Sequence, residues 1–397
     1  MDVAVLKHKS PEQLRLATSV FFFISGFGYS TWASRIPSVQ QNLHLNEAQL
    51  GAVLLAMPIG LILTLPVTGK LLGHFESKVI MFVGALIFNS MLALPGFVVN
   101  TVQLVLVLFC FGSARNLMNL SLNTQAVDVQ ALYSKSILTT MHGIWSLAGF
   151  AGGGLGYLMA LFNVHMRWHL LSVSCILVIT AIICFPYTLE KKPVQQVKKP
   201  VFSLPDKQMM KFALICFGVM ACENIMYDWS GVYFLKIIHS SKVASIGAYV
   251  IYMVTMTIGR FVGDRLVAVI GIKKILMYSG WLVFGGLMLA VIFPYQLTAG
   301  IGFALVGLGV SCVVPLVFSI AGKLKGANTG QSLAAVSTIG YLGFLLVPPM
   351  VGFIAQATSL RWSFAVVAIM STIIIFNVGA IPDVEAKEED IVLVEEI

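Results

Sequence analysis

Apolar windows of 20 to 30 residues follow one another along almost the whole chain, and this leaves few folds open. Taken between breaker and charge clusters, the windows fall at 14–36, 47–70, 79–98, 102–131, 134–162, 168–189, 209–236, 243–268, 274–293, 297–322, 329–357 and 361–381. A helix rises ~1.5 Å per residue, so about 20 residues cross a hydrocarbon layer roughly 30 Å thick. Backbone groups have no water to bond there, and the helix satisfies them within one segment. Of 397 residues, 58% are apolar and 11% charged, and too few remain between the windows for a soluble domain. With a mean hydropathy of +0.90, the expected class is an all-α integral membrane protein of twelve transmembrane helices.

Charge placement orients that set. If the chain starts in the cytoplasm and alternates sides, 19 of the 25 Lys and Arg residues fall on the cytoplasmic side and five on the other, with Arg115 alone, deep in its window, assigned to neither. Such a bias is the positive-inside pattern, and it predicts both termini in the cytoplasm. The longest connection, 190–208, carries five lysines and three prolines and reads as a cytoplasmic linker. It separates an N-terminal six-helix bundle, 1–189, from a C-terminal one, 209–381, with an acidic cytoplasmic tail at 382–397. The first window follows Lys7, His8, Lys9 and Arg15 without a small-residue cleavage site, so a retained helix is expected. Asn46 is placed to cap the second span. The formal charge of +8 is spread over short loops and gives no reason to expect a nucleic-acid partner. Cys110, Cys175, Cys184, Cys216, Cys222 and Cys312 all lie in apolar windows without CxxC spacing, which predicts structural thiols and no metal site.

The seventh window holds the least expected residues. Cys222-Glu223-Asn224-Ile225-Met226-Tyr227-Asp228-Trp229-Ser230 lies inside a run, 212–235, with no Lys or Arg. Glu223 sits about 18 Å beyond Lys211 along a helix, near the middle of the layer, and Asp228 about 7 Å further on. Placing a charge there costs ~2.5–3.5 kcal/mol on insertion scales, so both carboxylates are expected to face a protein interior or a watered cavity.

The fourth window carries Arg115, Asn116, Asn119, Asn123, Thr124 and Asp128. Its three asparagines are spaced i, i+3, i+7 and share one stripe with Arg115 at the margin. Such amides can serve as hydrogen-bonded glue between helices or line a cavity. Arg115 keeps its proton and needs an anion: Glu223 or Asp228, giving a structural or gating pair, or a substrate carboxylate or phosphate. In the fifth window His142 precedes Trp145 and Ser146, and it reads either as a bonded interior residue or as a proton relay. Tyr29 and Trp32, at i and i+3, and Tyr227, one turn from Glu223, offer aromatic faces of the kind that hold sugar-like or zwitterionic ligands. Pro348-Pro349 in the eleventh window is expected to kink its helix.

The two halves also resemble each other, as in transporters built from repeats. A shift of 197 puts Trp32 on Trp229, and a shift of 190 puts Gly69-Lys70-x-x-Gly73-His74 on Gly259-Arg260-x-x-Gly263-Asp264. The stretch Gly259-Arg260-Phe261-Val262-Gly263-Asp264-Arg265-Leu266, followed by Gly271-Ile272-Lys273-Lys274, resembles the loop signature of the major facilitator superfamily. Trp32 to Pro37, Asn123 to Val127, His142 to Gly149 and Glu223 to Trp229 resemble its bacterial YbjJ-like branch. The resemblance implies two pseudo-symmetric six-helix bundles in the inner membrane. The first-half loop departs from the signature, with Gly73 at the position of its Asp and His74 beside it. Gating by charge is therefore expected of Arg260, Asp264 and Arg265 alone.

Together these residues predict a monomeric secondary transporter that moves a small polar solute, sugar-like, sugar-acid or zwitterionic, by alternating access. Protons or another ion drive it, and no cofactor is needed. Tyr29, Trp32, Arg115, Asn119, Asn123, His142, Trp145, Asn224 and Tyr227 are the candidate solute contacts. Glu223, then Asp228, are the candidate proton carriers, since burial and a nearby cation act on a carboxylate in opposite directions. Two alternatives stay open, a proton-coupled exporter of amphipathic compounds and a membrane receptor or scaffold that does not transport. An enzyme is disfavoured, for there is no HExxH, Gly-x-Ser-x-Gly or metal-spaced set.

Overall fold

The computed structural model describes residues 9–133, 137–191, 207–323 and 329–379. Every regular element among them is helical: α1 (Pro11–Ala33), α2 (Ile36–Asn42), α3 (Glu47–Leu54), α4 (Ala56–Leu72), α5 (Ser77–Ala93), α6 (Thr101–Gln130), α7 (Leu138–Leu161), α8 (Met166–Cys184), α9 (Lys207–Lys236), α10 (Lys242–Ile270), α11 (Ile272–Ile292), α12 (Gln296–Val310), α13 (Val313–Lys323), α14 (Thr329–Ala357) and α15 (Leu360–Val378). α3 with α4 makes one span and α12 with α13 another, so eleven spans among the described residues are long and apolar enough to cross a bilayer. α1 is the twelfth. Its hydroxyls, Thr18, Ser19, Ser25, Ser30 and Thr31, lower its hydropathy, and all five are buried inside the protein. Most of the expected linker at 190–208 and the tail at 382–397 lie outside the described residues.

Proline sets the breaks in the split spans. Pro58 has no N–H to give the Leu54 carbonyl, and the helix interrupts at Leu55. Leu55 keeps helical angles, φ −59° and ψ −25°, so the chain continues in nearly the same direction. Pro315 likewise frees the carbonyl of Ser311, between α12 and α13. α14 runs through Pro348 and Pro349 as one continuous helix. The capping residue is where the sequence puts it. Asn46 accepts from the Gln49 amide at 2.8 Å, and the Gln49 side chain accepts from the Asn46 amide at 3.0 Å, a reciprocal box that contributes ~1 kcal/mol. The connection after Pro37 forms the short helix α2.

The dense packing falls into two sets. α1 lies on α7, α4 and α5 lie on α6, and α8 lies on α5, while α14 and α15 lie on α9, and α12 lies on α10 and α11. Two helix pairs join the sets most extensively, α7 with α10 and α3 with α14. The second pair meets at the end of the molecule away from the lysine-rich loops, through two glycines. A Cβ added to Gly51 would stand 2.5 Å from the Pro348 carbonyl oxygen, and one added to Gly352 would stand 2.5 Å from the Glu47 carbonyl oxygen. The Pro37 ring reaches Gly231 nearby, and Lys236 pairs with Glu47 at 3.2 Å. This end is closed.

At the lysine-rich end, Glu190 takes Lys78 at 2.9 Å and Lys9 at 3.2 Å, tying the chain beyond α8 to the start of α5 and the approach to α1. Hydrogen bonds from Lys78 and Lys9 hold the Glu190 carboxyl below the usual carboxylate range. A carboxylate so depressed stabilises the fold above its ordinary pKa of ~4.3, and that contribution is lost as pH falls. Glu190→Gln is expected to lower the melting temperature slightly at neutral pH, by less than about 1 kcal/mol because the group is exposed. The difference from the parent should shrink as pH falls below the ordinary carboxylate range and vanish once the depressed Glu190 carboxyl is itself protonated. Gly352→Leu overfills the α3–α14 contact at a cost of about 1–3 kcal/mol, and a thiol placed in that contact should react faster with a soluble maleimide than in the parent.

Candidate functional site

α9 is the most enclosed span: 78% of its apolar window is buried, against 28–50% in the other ten. Its polar residues do face protein, with Glu223 8% exposed, Asp228 2%, Asn224 3% and Tyr227 5%. The i, i+4 spacing puts Asn224 under Asp228, and Asn224 Nδ2 donates to Asp228 Oδ2 at 3.1 Å. Asp228 Oδ1 and Asn224 Oδ1 are buried without a hydrogen-bond partner. Glu223 and Tyr227 form the neighbouring stripe of the same helix.

Glu223 meets a cation of its own set, Arg260 of α10, whose Nη2 stands 3.9 Å from its Oε1. That is ion-pair range and too long for a direct hydrogen bond. Arg260 is fixed from two other sides. Its Nε donates at 3.4 Å to the Ser311 carbonyl that Pro315 frees, and its Nη1 donates to Ser146 Oγ of α7. Its guanidinium also stands 5.8 Å from the Trp145 ring centroid. The Ser146 hydroxyl in turn donates to the His142 carbonyl at 3.2 Å. Of the anions open to Arg115, Glu223 is therefore taken by another arginine.

Arg115 lies instead over the face of Tyr29, 3.8 Å from guanidinium carbon to ring centroid. Its Nε is buried and unbonded, and no carboxylate among the described residues comes within 4.0 Å of it. Tyr29 meets the edge of Tyr227 at 5.3 Å, and Tyr227 meets Tyr252 at 5.6 Å. Tyr249 exchanges a hydrogen bond of 2.8 Å with Ser30. An aromatic file thus runs from Arg115 through α1 to α9 and α10, crossing from one set of helices to the other.

A second polar chain binds the first set together. Trp145 Nε1 donates to Ser25 Oγ at 3.2 Å, and Ser25 donates to Asn119 Oδ1 at 2.7 Å. Asn116 shows the plainer use of such residues, since its Nδ2 donates to Thr68 at 2.8 Å and Thr64 at 3.3 Å and glues α6 to α4. Trp32 is 1% exposed against Phe111, with its indole N–H unbonded.

Three residues mark an opening. His142 lies on α7 between the face that meets α1, at Trp145, Ala148 and Gly152, and the face that meets α10, at Gly149 and Gly153. It points inward, touches the Phe22 edge at 5.1 Å, and is still exposed. Asn123 is exposed on the stripe that Asn116 buries about two turns earlier. Tyr341 shares a face of α14 with Pro348 and Gly352 and is 38% exposed, two turns nearer the lysine-rich end than the glycine contact. These three residues are exposed toward the lysine-rich end, where α7 still meets α10 at Gly143 and Phe261, and the two sets also touch at the other end. Of the expected gating residues, Arg260 joins the site and Arg265 is exposed; the side chain of Asp264 lies outside the described residues. Among those residues no cluster of three His, Cys, Asp or Glu side chains is close enough to hold a metal ion.

A family model described as Major Facilitator Superfamily matches residues 18–346 and 248–396. The chain belongs to the major facilitator superfamily. It is 31% identical over 357 residues to an uncharacterised MFS-type transporter of Yersinia pestis, covering 90% of this chain and 92% of that one. It is 30% identical over 360 residues to the membrane protein MosC of Rhizobium meliloti, covering 89% and 87%. Among solved structures, the nucleoside transporter NupG superposes with a TM-score of 0.72 at 15% identity, over 93% of this chain and 98% of that one. A bacterial homologue of the human lysosomal transporter Spinster, in an inward-facing and unoccupied conformation, gives 0.71 at 12% identity, over 94% and 97%. The protein is a multi-pass membrane transporter with the fold of this superfamily. The narrower likeness to the YbjJ-like branch rests on the residues quoted above.

Ser25, Ser30 and Tyr249 belong to this cluster and were missed by sequence reasoning, while Ser146, noted there beside His142, was given no role. Their signal was present as hydroxyls on the otherwise apolar faces of α1, α7 and α10. Ser25→Ala leaves the Trp145 N–H and the Asn119 oxygen unpaired, and it is expected to cost about 1–3 kcal/mol, read as a lower melting temperature in detergent.

Proposed function

We propose that this transporter is a proton-coupled carrier of a small polar solute, held between the first and last six spans and released by rocking the 1–189 bundle on the 209–381 bundle. The observation that carries the reading is a group of polar atoms that the protein leaves unpaired around the Tyr29–Tyr227 contact: Asp228 Oδ1, Asn224 Oδ1 and Arg115 Nε. Each buried unpaired group costs about 1–3 kcal/mol, a cost that suits a site completed by the solute. Both sets of helices contribute, so a solute bridging them would draw the halves together.

The chemistry of the lining selects for a molecule with a donor or cation for Asp228, an acceptor for Arg115 and a ring or sugar face for the tyrosines. Sugars, sugar acids, zwitterions and nucleosides meet those terms, and NupG, a nucleoside transporter by its description, shares the fold. Asn119, Asn123, His142, Trp145 and Trp32 complete the wall along the path. By the positive-inside pattern the lysine-rich end faces the cytoplasm of a bacterial cell, so the conformation described is open inward, and a monomer suffices.

Glu223 is the proton carrier in this reading and Asp228 the second. Arg260, fixed by Ser311 and Ser146, favours the ionised form of Glu223, while the apolar surroundings disfavour it. A movement of α7 against α10 removes Ser146 and changes that balance. One proton moving with the potential supplies ~2.3 kcal/mol per 100 mV.

A thermal-shift panel of sugars, sugar acids, amino acids and nucleosides on the purified protein identifies the solute, because a ligand stabilises the folded state by mass action. Arg115→Ala and Asp228→Ala are expected to weaken its binding by at least about tenfold each. In proteoliposomes Glu223→Gln should abolish accumulation driven by a pH gradient while sparing counterflow. Unchanged gradient-driven accumulation in that variant rejects the proton role.

A further inference from the structure

A groove of about 460 Å³ lies outside this site, between α11 and α15, lined by Phe284, Met288, Val291, Ile292, Arg361, Trp362, Ala365 and Ile369. Its walls are apolar except at Arg361. It opens on the membrane-facing surface, since Trp362 is 62% exposed, Ile369 63% and Ile292 50%. Arg361 stands at the first turn of α15, at the end of the molecule away from the lysine-rich loops. Trp362 beside it occupies the level where indoles mark a membrane interface.

The position of Arg361 is determined by the end of α11. Its Nε donates to the Val291 carbonyl and its Nη2 to the Ile292 carbonyl at 3.3 Å, two of the acceptors that a helix C-terminus leaves open. Carbonyls orient the guanidinium without cancelling its charge, and no carboxylate among the described residues pairs with it. The result is a fixed, exposed cation at the interface above an apolar slot that runs toward the bilayer centre. A membrane molecule of matching form has an anionic headgroup over an acyl chain.

We propose that this groove is a binding site for an anionic phospholipid, with the headgroup phosphate on Arg361 and Trp362 and one acyl chain along Phe284, Met288, Ala365 and Ile369. The slot supplies the chain contacts, so a free phosphate ion does not bind there with comparable strength. One interfacial arginine sets a preference for anionic over zwitterionic headgroups of about fivefold. The site is separate from the solute path and independent of which solute is carried.

Native mass spectrometry of the delipidated full-length protein, titrated with phosphatidylglycerol or phosphatidylcholine of the same chains, tests this. The expected result is one saturable phosphatidylglycerol site, about fivefold tighter than for phosphatidylcholine. Arg361→Gln should remove that preference, and Ala365→Leu, which fills the slot and keeps the arginine, should weaken both lipids. Should Arg361→Gln fail to fold, having lost the cap on α11, Ala365→Leu still decides. Equal binding of the two lipids by the parent, saturation by inorganic phosphate alone, or an unaltered titration in the Ala365→Leu protein would overturn the proposal.

Discussion

Charge in hydrocarbon must be enclosed, and α9 brings two carboxylates to mid-membrane. The other helices are arranged in answer to that. α14 and α15 cover α9 from one side and α10 and α12 from the other, which makes a span with two acids the most buried of the spans. Once the acids face inward, cations are brought toward them. Arg260 reaches Glu223 from within the same set of helices, whereas Arg115 of the other set lies over Tyr29 and pairs with no carboxylate among the described residues. The ion pair therefore stays within one set, while the unpaired arginine stands where the two sets meet.

The way Arg260 is held shows how backbone defects serve a membrane site. A guanidinium inside a bilayer needs acceptors for its donors, and helices have already used their carbonyls. Pro315 leaves one unused at Ser311, and the arginine takes it. Gly259, the residue before Arg260, lets the two helices close to that distance, for a Cβ there would meet Ser311 Oγ at 2.3 Å. A proline, a glycine and a serine far apart in sequence thus fix one cation beside Glu223.

Most of the fold was legible because hydropathy has no competitor in the bilayer. The twelve windows reproduce the helices, the Asn46 cap included, and the largest errors fall where proline acts through its neighbours. Pro58 and Pro315 split spans that the windows leave whole, while α14 stays continuous through Pro348-Pro349. The inward direction of Glu223 and Asp228 followed from cost alone. Pairing was beyond reach: whether Arg115 meets an acid depends on helix rotations that a window cannot supply, and Arg260 belongs to a stretch that looks like a loop signature. Asn116 and Asn119 share a stripe in sequence and part company in space, one gluing α6 to α4, the other closing the chain from Trp145 through Ser25.

The contact between α3 and α14 is made of main chain against main chain at Gly51 and Gly352. At those two positions no side chain stands between the backbones, so parting them there withdraws nothing from a socket and resets no rotamer. A joint of this kind offers little steric friction of its own.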